Sequence, residues 1–135
     1  MTAERTQALV QAAALALIPI ASTVLMILLC TRAANGRLAR NQWVGIRTRA
    51  TMRNDQSWAA GHRAALRLTP LLILISIAGC VATAWAALAT SNPNTVMLTG
   101  IGVAALVVIV LIYSAVLANR AANAVGSAPP GQRRQ

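Results

Sequence analysis

Apolar residues occur along this chain in two long blocks without a charge. No charged residue lies between Thr6 and Thr31, and none lies between Leu68 and Asn119. Both blocks are too long for a helix of a soluble core, and a bilayer core about 30 Å thick is spanned by about 20 helical residues. The first block therefore predicts one membrane-spanning helix, and the second predicts two helices joined by a turn.

The turn within the second block is predicted at residues 91–94, Ser-Asn-Pro-Asn. Proline removes a backbone donor, and Ser and Asn favour local side-chain turns over helix. Pro19, near the middle of the first span, predicts a local kink and not a break. The predicted spans cover about 8–30, 69–90 and 96–118.

Composition supports a membrane protein and argues against catalysis. Of the 135 residues, 57% are hydrophobic and 10% are charged, whereas a soluble domain has about 25% charged residues. The only acids are Glu4 and Asp55, so almost no residues are available for chemistry that needs paired carboxylates, and we expect no enzyme. No cofactor and no metal site are expected either. The chain is predicted to be an all-α integral membrane protein, with one membrane domain over 1–123 and a flexible cytoplasmic tail over 124–135.

Arginines are distributed unevenly around the spans, and this predicts the orientation. Eight arginines lie in the loop 32–67 against the single acid Asp55, which is a net charge of +7, while Glu4 and Arg5 cancel before the first span. Further arginines follow the third span at 120, 133 and 134. Because arginine in short loops marks the cytoplasmic side, we expect a multi-pass protein of a cytoplasmic membrane, with the N terminus outside and the C terminus inside.

The loop 32–67 also contains signals for local structure. Asn35-Gly36 predicts a turn after the first span, and Gly45 gives the backbone freedom farther along the loop. Asn54 supplies a cap-type side chain, so a short helix is predicted from about residue 55 toward the second span. Spacing of four and seven residues places Trp58, His62 and Ala65 on one face of that helix.

This short helix is predicted to lie at the membrane interface. Trp43 and Trp58 would then sit at the depth of the lipid headgroups, where aromatic side chains are common. Arg47 and Arg49 alternate in a short extended run, so their side chains are expected to project to opposite sides, one of them inward.

The titratable side chains of the loop have structural interpretations. His62 has no second ligand at metal-binding spacing, so we expect it to bond a backbone carbonyl or Asp55. Asp55 is interpreted as a helix-start charge or as an ion-pair partner of Arg47 or Arg49. Cys30 and Cys80 lie at different predicted depths, so no disulfide is expected between them.

One segment of the loop resembles a known family signature. The pattern is Asn41-x-Trp43-x-Gly45-Ile46-Arg47-Thr48-x-x-Thr51, followed by Asp55-x-x-Trp58-x-x-x-His62-Arg63. We refer to these as the signature residues, and they resemble the signature of the SdpI family of bacterial membrane proteins. Members of that family often have proline after the threonine of the Gly-Ile-Arg-Thr core, where this chain has Arg49.

The resemblance implies a polytopic membrane protein that protects against a membrane-active toxin. In the best-known member, which is longer and has more spans, the protein also holds a transcriptional repressor at the membrane. The partners expected here are the bilayer with its anionic headgroups, and a toxin peptide or a cytosolic regulator bound through the signature residues. The alternative is a structural accessory subunit of a larger membrane enzyme or transporter complex. Nucleic acid is not expected, because the bilayer competes for the arginines.

Overall fold

The computed structural model describes residues 2–90 and 92–126, and each regular element in these ranges is a helix. The elements are α1 (Ala3–Ala34), α2 (Asp55–Ala65), a 3-10 turn (Leu66–Leu68), α3 (Thr69–Thr90) and α4 (Pro93–Gly126). Three helical runs in the described residues are long and apolar enough to cross a membrane: Ala3–Ala34, Asp55–Thr90 and Pro93–Gly126. The prediction of an all-α protein with three spanning helices is confirmed.

The helices extend beyond the predicted spans. With 32 and 34 residues, α1 and α4 are about 48 and 51 Å long, well above the thickness of a bilayer core. The helix α4 ends at Gly126 and so includes the first three residues of the predicted tail 124–135. The rest of that tail lies outside the described residues.

A proline begins α4 earlier than the predicted span. Pro93 is its first residue, where the fixed backbone angle of proline suits a helix and its missing N–H costs no bond. The side chain of Asn92 accepts a 2.9 Å hydrogen bond from the N–H of Asn94. By contrast, Pro19 lies inside α1, which continues through it without a break, as predicted.

Within the described residues, 2–25 and 70–110 form one compact unit. Small side chains from three helices pack together there: Ala8, Ala12, Ala86, Ala87 and Val96. The hydroxyls of Thr23 and Ser76 are 2.8 Å apart, and Ser76 also donates to the carbonyl of Pro19 at 3.2 Å. Contacts between small residues and hydrogen bonds between hydroxyl groups are typical of helices that pack against each other within a membrane.

Residues 26–69 and 111–126 form the second compact unit, which contains the signature residues. In this unit α2 buries one face, made of Ser57, Trp58, Gly61, His62, Ala64 and Ala65. Gly61 faces α4 so closely that a β-carbon there would lie 3.0 Å from the carbonyl oxygen of Ala118. Ser57 donates to the carbonyl of Ala122 at 3.3 Å. The predicted common face of Trp58, His62 and Ala65 is confirmed, and it faces protein.

Candidate functional site

Two turns after α1 shape the beginning of the loop. Gly36 has a φ of 71°, and Arg37 donates its N–H to the carbonyl of Arg32 at 2.8 Å, which ends the helix as predicted. Farther along, the side-chain oxygen of Asn41 accepts the N–H groups of both Trp43 and Val44 at 2.9 Å. The backbone at residues 41–44 is therefore held by a side chain that is adjacent in sequence.

Gly45 and Ile46 lie directly on the buried face of α2. Gly45 has a φ of 98°, and a β-carbon there would lie 2.8 Å from Nε2 of His62 and 2.9 Å from the indole of Trp58. The N–H of Ile46 donates to Nε2 of His62 at 2.9 Å. Only glycine combines this backbone angle with this approach.

Trp58 and His62, on the buried face of α2, bind the loop that precedes this helix. The indole N–H of Trp58 donates to the carbonyl of Leu38 at 3.0 Å. Because Nε2 of His62 accepts from Ile46, the proton is on Nδ1, which bonds the carbonyl of Trp58 at 2.8 Å. The predicted hydrogen bond from His62 to a backbone carbonyl is confirmed. Both ring nitrogens are engaged, so this histidine has a structural role.

Two threonines form a local turn in the second half of the signature. The hydroxyl of Thr51 donates to the carbonyl of Ile46 at 2.8 Å and accepts the N–H of Thr48 at 2.9 Å. Thr51 is completely buried. The chain therefore turns at residues 49–52, and the predicted extended run with one inward arginine is wrong, since Arg47 and Arg49 are both exposed.

The start of α2 follows the sequence prediction, but its ion pair does not. The side chain of Asn54 accepts the N–H of Ser57 at 2.8 Å and caps the helix. Asp55 lies in the first turn, as predicted, and its carboxylate is 3.4 Å from the Arg40 guanidinium. The structure pairs Asp55 with Arg40 and not with Arg47 or Arg49, and the guanidinium of Arg47 bonds the carbonyl of Gln42 instead. Asp55 is 89% exposed, so this pair contributes little to stability.

The arginines of the loop are exposed, and several are held by neutral groups. Arg63 donates to the carbonyl of Ala34 at 3.0 Å, near the end of α1. Arg47 donates to the carbonyl of Gln42, and Arg53 donates to the side-chain oxygen of Asn123 at 3.2 Å. Neutral acceptors orient a guanidinium without cancelling its charge. Sequence reasoning missed Arg40 and Leu38, because their partners Asp55 and Trp58 lie far away along the chain.

The two tryptophans of the loop have opposite environments. Trp58 is 2% exposed, whereas Trp43 is 88% exposed. The indole of Trp58 packs against Gly45 and His62 inside the protein, so Trp58 is not a surface anchor. Its predicted position at headgroup depth stays a prediction. Trp43 is presented at the surface together with Val44, on the turn held by Asn41.

Stability should depend on pH through His62. Burial lowers the pKa of His62 below its ordinary value of 6.5, although the bond to the Trp58 carbonyl opposes the shift. The unfolded chain therefore binds a proton more readily than the folded chain. The free energy of unfolding is therefore expected to be highest, as far as His62 is concerned, above pH 6.5. It should decrease as the pH falls from 6.5 toward the pKa of His62 in the folded protein. Chemical unfolding between about pH 8 and pH 5 measures this loss.

His62→Gln is the control for this prediction, since His62 is the only histidine in the chain. The variant should lose most of the pH dependence in that range. A wild-type protein that is equally stable at both ends of the range would contradict the role given to His62.

Comparison with protein-family models matches residues 37–114 to the SdpI/YfhL protein family. The match covers more than half of the chain and includes all the signature residues, α2 and α3. Comparisons with curated proteins and with solved structures gave no match. The signature residues thus form one folded element of a protein with three spanning helices, and the chain belongs to the SdpI/YfhL protein family.

Proposed function

We propose that this protein is a binding protein of the immunity type and not an enzyme. It acts in a bacterial cytoplasmic membrane, with the signature residues on the cytoplasmic side. It antagonises a membrane-active toxin, holds a cytosolic regulator at the membrane, or does both through the same surface. Family membership supports the general class, and the uneven distribution of arginines supports the orientation. Reporter fusions near Asn54 and Asn94 measure that orientation.

The observation that carries the proposal is the exposure of Trp43. Most signature residues have an internal role: Asn41 holds a turn, Gly45 and Ile46 contact α2, and Thr48 and Thr51 bond each other. Trp43 has no comparable role, since 88% of it is exposed. A large aromatic on a backbone already held in place loses little entropy on binding, which is typical of residues that dominate interfaces.

The charge around Trp43 indicates the chemistry of the partner. Arg47 and Arg49 are close to Trp43 in the sequence and are exposed. The loop 32–67 contains eight arginines and one acid. A partner that covers Trp43 therefore needs an apolar patch bordered by acidic groups. Electrostatic attraction then accelerates the encounter, and the buried indole supplies affinity.

Trp43→Ala tests the proposal, and Trp85→Ala is a matched control because Trp85 in α3 is 71% exposed. Cells that express the wild type should tolerate a membrane-active peptide toxin better than cells without it. Trp43→Ala is expected to reduce that protection about tenfold, the effect of losing one side chain that anchors an interface. Trp85→Ala should keep it at equal membrane abundance.

The regulator arm of the proposal uses the same variants. Purification into lipid discs should recover a cytosolic protein with the wild type and with Trp85→Ala, but not with Trp43→Ala. If neither protection nor any copurified protein depended on Trp43, the proposal would be wrong. Recovery of one large membrane complex in fixed stoichiometry with all three forms would instead favour an accessory subunit.

A further inference from the structure

A groove of about 360 Å³ lies beside the C-terminal part of α4. Its lining residues are Thr48, Ile112, Ala115, Val116, Asn119 and Arg120. Ile112, Val116 and Arg120 are four residues apart and so follow one face of the helix. All three are exposed. Along this face the groove changes from apolar to basic within about one helical turn.

Arg120 has no acidic partner among the residues that the structure describes. Within residues 2–90 and 92–126 the acids are Glu4 and Asp55, and the ion pair formed by Asp55 is with Arg40. Arg120 is therefore an exposed cation on the wall of a groove without a carboxylate. An anion from outside the chain fits this position.

The position of Arg120 along α4 indicates where that anion comes from. Arg120 is the first charged residue after the uncharged stretch from Leu68 to Asn119. The apolar side chains before it suit the hydrocarbon region, so we expect Arg120 at the depth of the lipid phosphates. Val116 and Arg120 are about 6 Å apart along the helix axis. A phospholipid offers the same order of groups, since its acyl chains are attached close to its phosphate.

We propose that this groove binds one anionic phospholipid. Its phosphate contacts the Arg120 guanidinium and the Asn119 amide beside Thr48, and one acyl chain lies along Ile112 and Val116. A free phosphate would leave the apolar wall uncovered, and an uncharged hydrocarbon would leave Arg120 unpaired. Thr48 belongs to the signature residues, so the bound lipid would also contact the loop that contains Trp43. The proposal does not depend on toxin or regulator binding.

Native mass spectrometry of the full chain, released from micelles with added phosphatidylglycerol or phosphatidylcholine, tests this site. The wild type should retain one phosphatidylglycerol in preference to phosphatidylcholine. Arg120→Gln should weaken that retention about tenfold, because it removes a charge-assisted hydrogen bond. Arg37→Gln is the matched control, since Arg37 is exposed and lies outside the groove. It should leave retention unchanged.

A second variant and a competitor separate a lipid site from general attraction of anions. Ala115→Trp fills the groove without changing the charge and should also abolish retention. Inorganic phosphate should not displace the lipid. Equal weakening by Arg37→Gln and Arg120→Gln would overturn the proposal, and so would displacement by inorganic phosphate. If Ala115→Trp does not fold, the two arginine variants decide the matter by themselves.

Discussion

Trp58→Ala is expected to lower the free energy of unfolding by about 3–5 kcal/mol, the range for truncating a buried aromatic side chain. The indole is 2% exposed, its ring centroid is 4.2 Å from that of His62, and its N–H bonds the Leu38 carbonyl. Its removal leaves a cavity under the loop and an unpaired carbonyl. Unfolding in mild detergent with increasing sodium dodecyl sulfate, followed by circular dichroism, measures the loss.

Two variants serve as controls for Trp58→Ala. Trp43→Ala removes the same side chain from an 88% exposed position and should leave stability almost unchanged. Trp58→Phe keeps most of the packing but removes the indole donor, so it should cost about 1–3 kcal/mol for the carbonyl of Leu38. Equal stability of Trp58→Ala and Trp43→Ala would show that the loop does not pack on α2 as described.

Gly45→Ala is expected to lower the free energy of unfolding by about 2–4 kcal/mol. The left-handed backbone at a φ of 98° costs a residue with a β-carbon about 1–2 kcal/mol. The new methyl group would also lie 2.8 Å from Nε2 of His62, so the backbone must move and the bond from Ile46 is lost. The same unfolding measurement applies, together with the toxin-tolerance assay, because this movement also displaces Trp43.

Gly36→Ala separates the two contributions to this loss. Gly36 has a φ of 71°, but a β-carbon there would meet no atom within 4 Å. It should therefore cost only the backbone part, about 1–2 kcal/mol. If the two variants lost the same stability, the contact between Gly45 and α2 would not contribute.

These predictions distinguish residues that stabilise the folded loop from residues that are exposed on its surface. Gly45, Trp58 and His62 form a buried contact between the signature residues and α2, and their substitution should act through stability. Trp43 and Arg47 are exposed on the resulting surface, and their substitution should act through binding. A loss of binding after Trp43→Ala at unchanged stability is therefore the most direct evidence for the proposed function.

Local chemistry in the sequence was sufficient for the spans and for several turns. Charged groups are excluded from the hydrocarbon core at a high cost in free energy, so two charge-free blocks predict three spanning helices. The cap at Asn54 and the turn at Gly36 also depend on residues within a few positions of each other. Such features need no knowledge of the rest of the chain.

Only the tertiary structure decided which signature residues are buried. Trp43 and Trp58 are the same residue type in one basic loop, and their difference depends on contacts with Leu38 and Gly45, which lie far from Trp58 in sequence. In the same way, Asp55 pairs with Arg40 because the chain returns to α2. Burial, pairing and the presentation of Trp43 are properties of distant segments in contact, and no local pattern of residues encodes them.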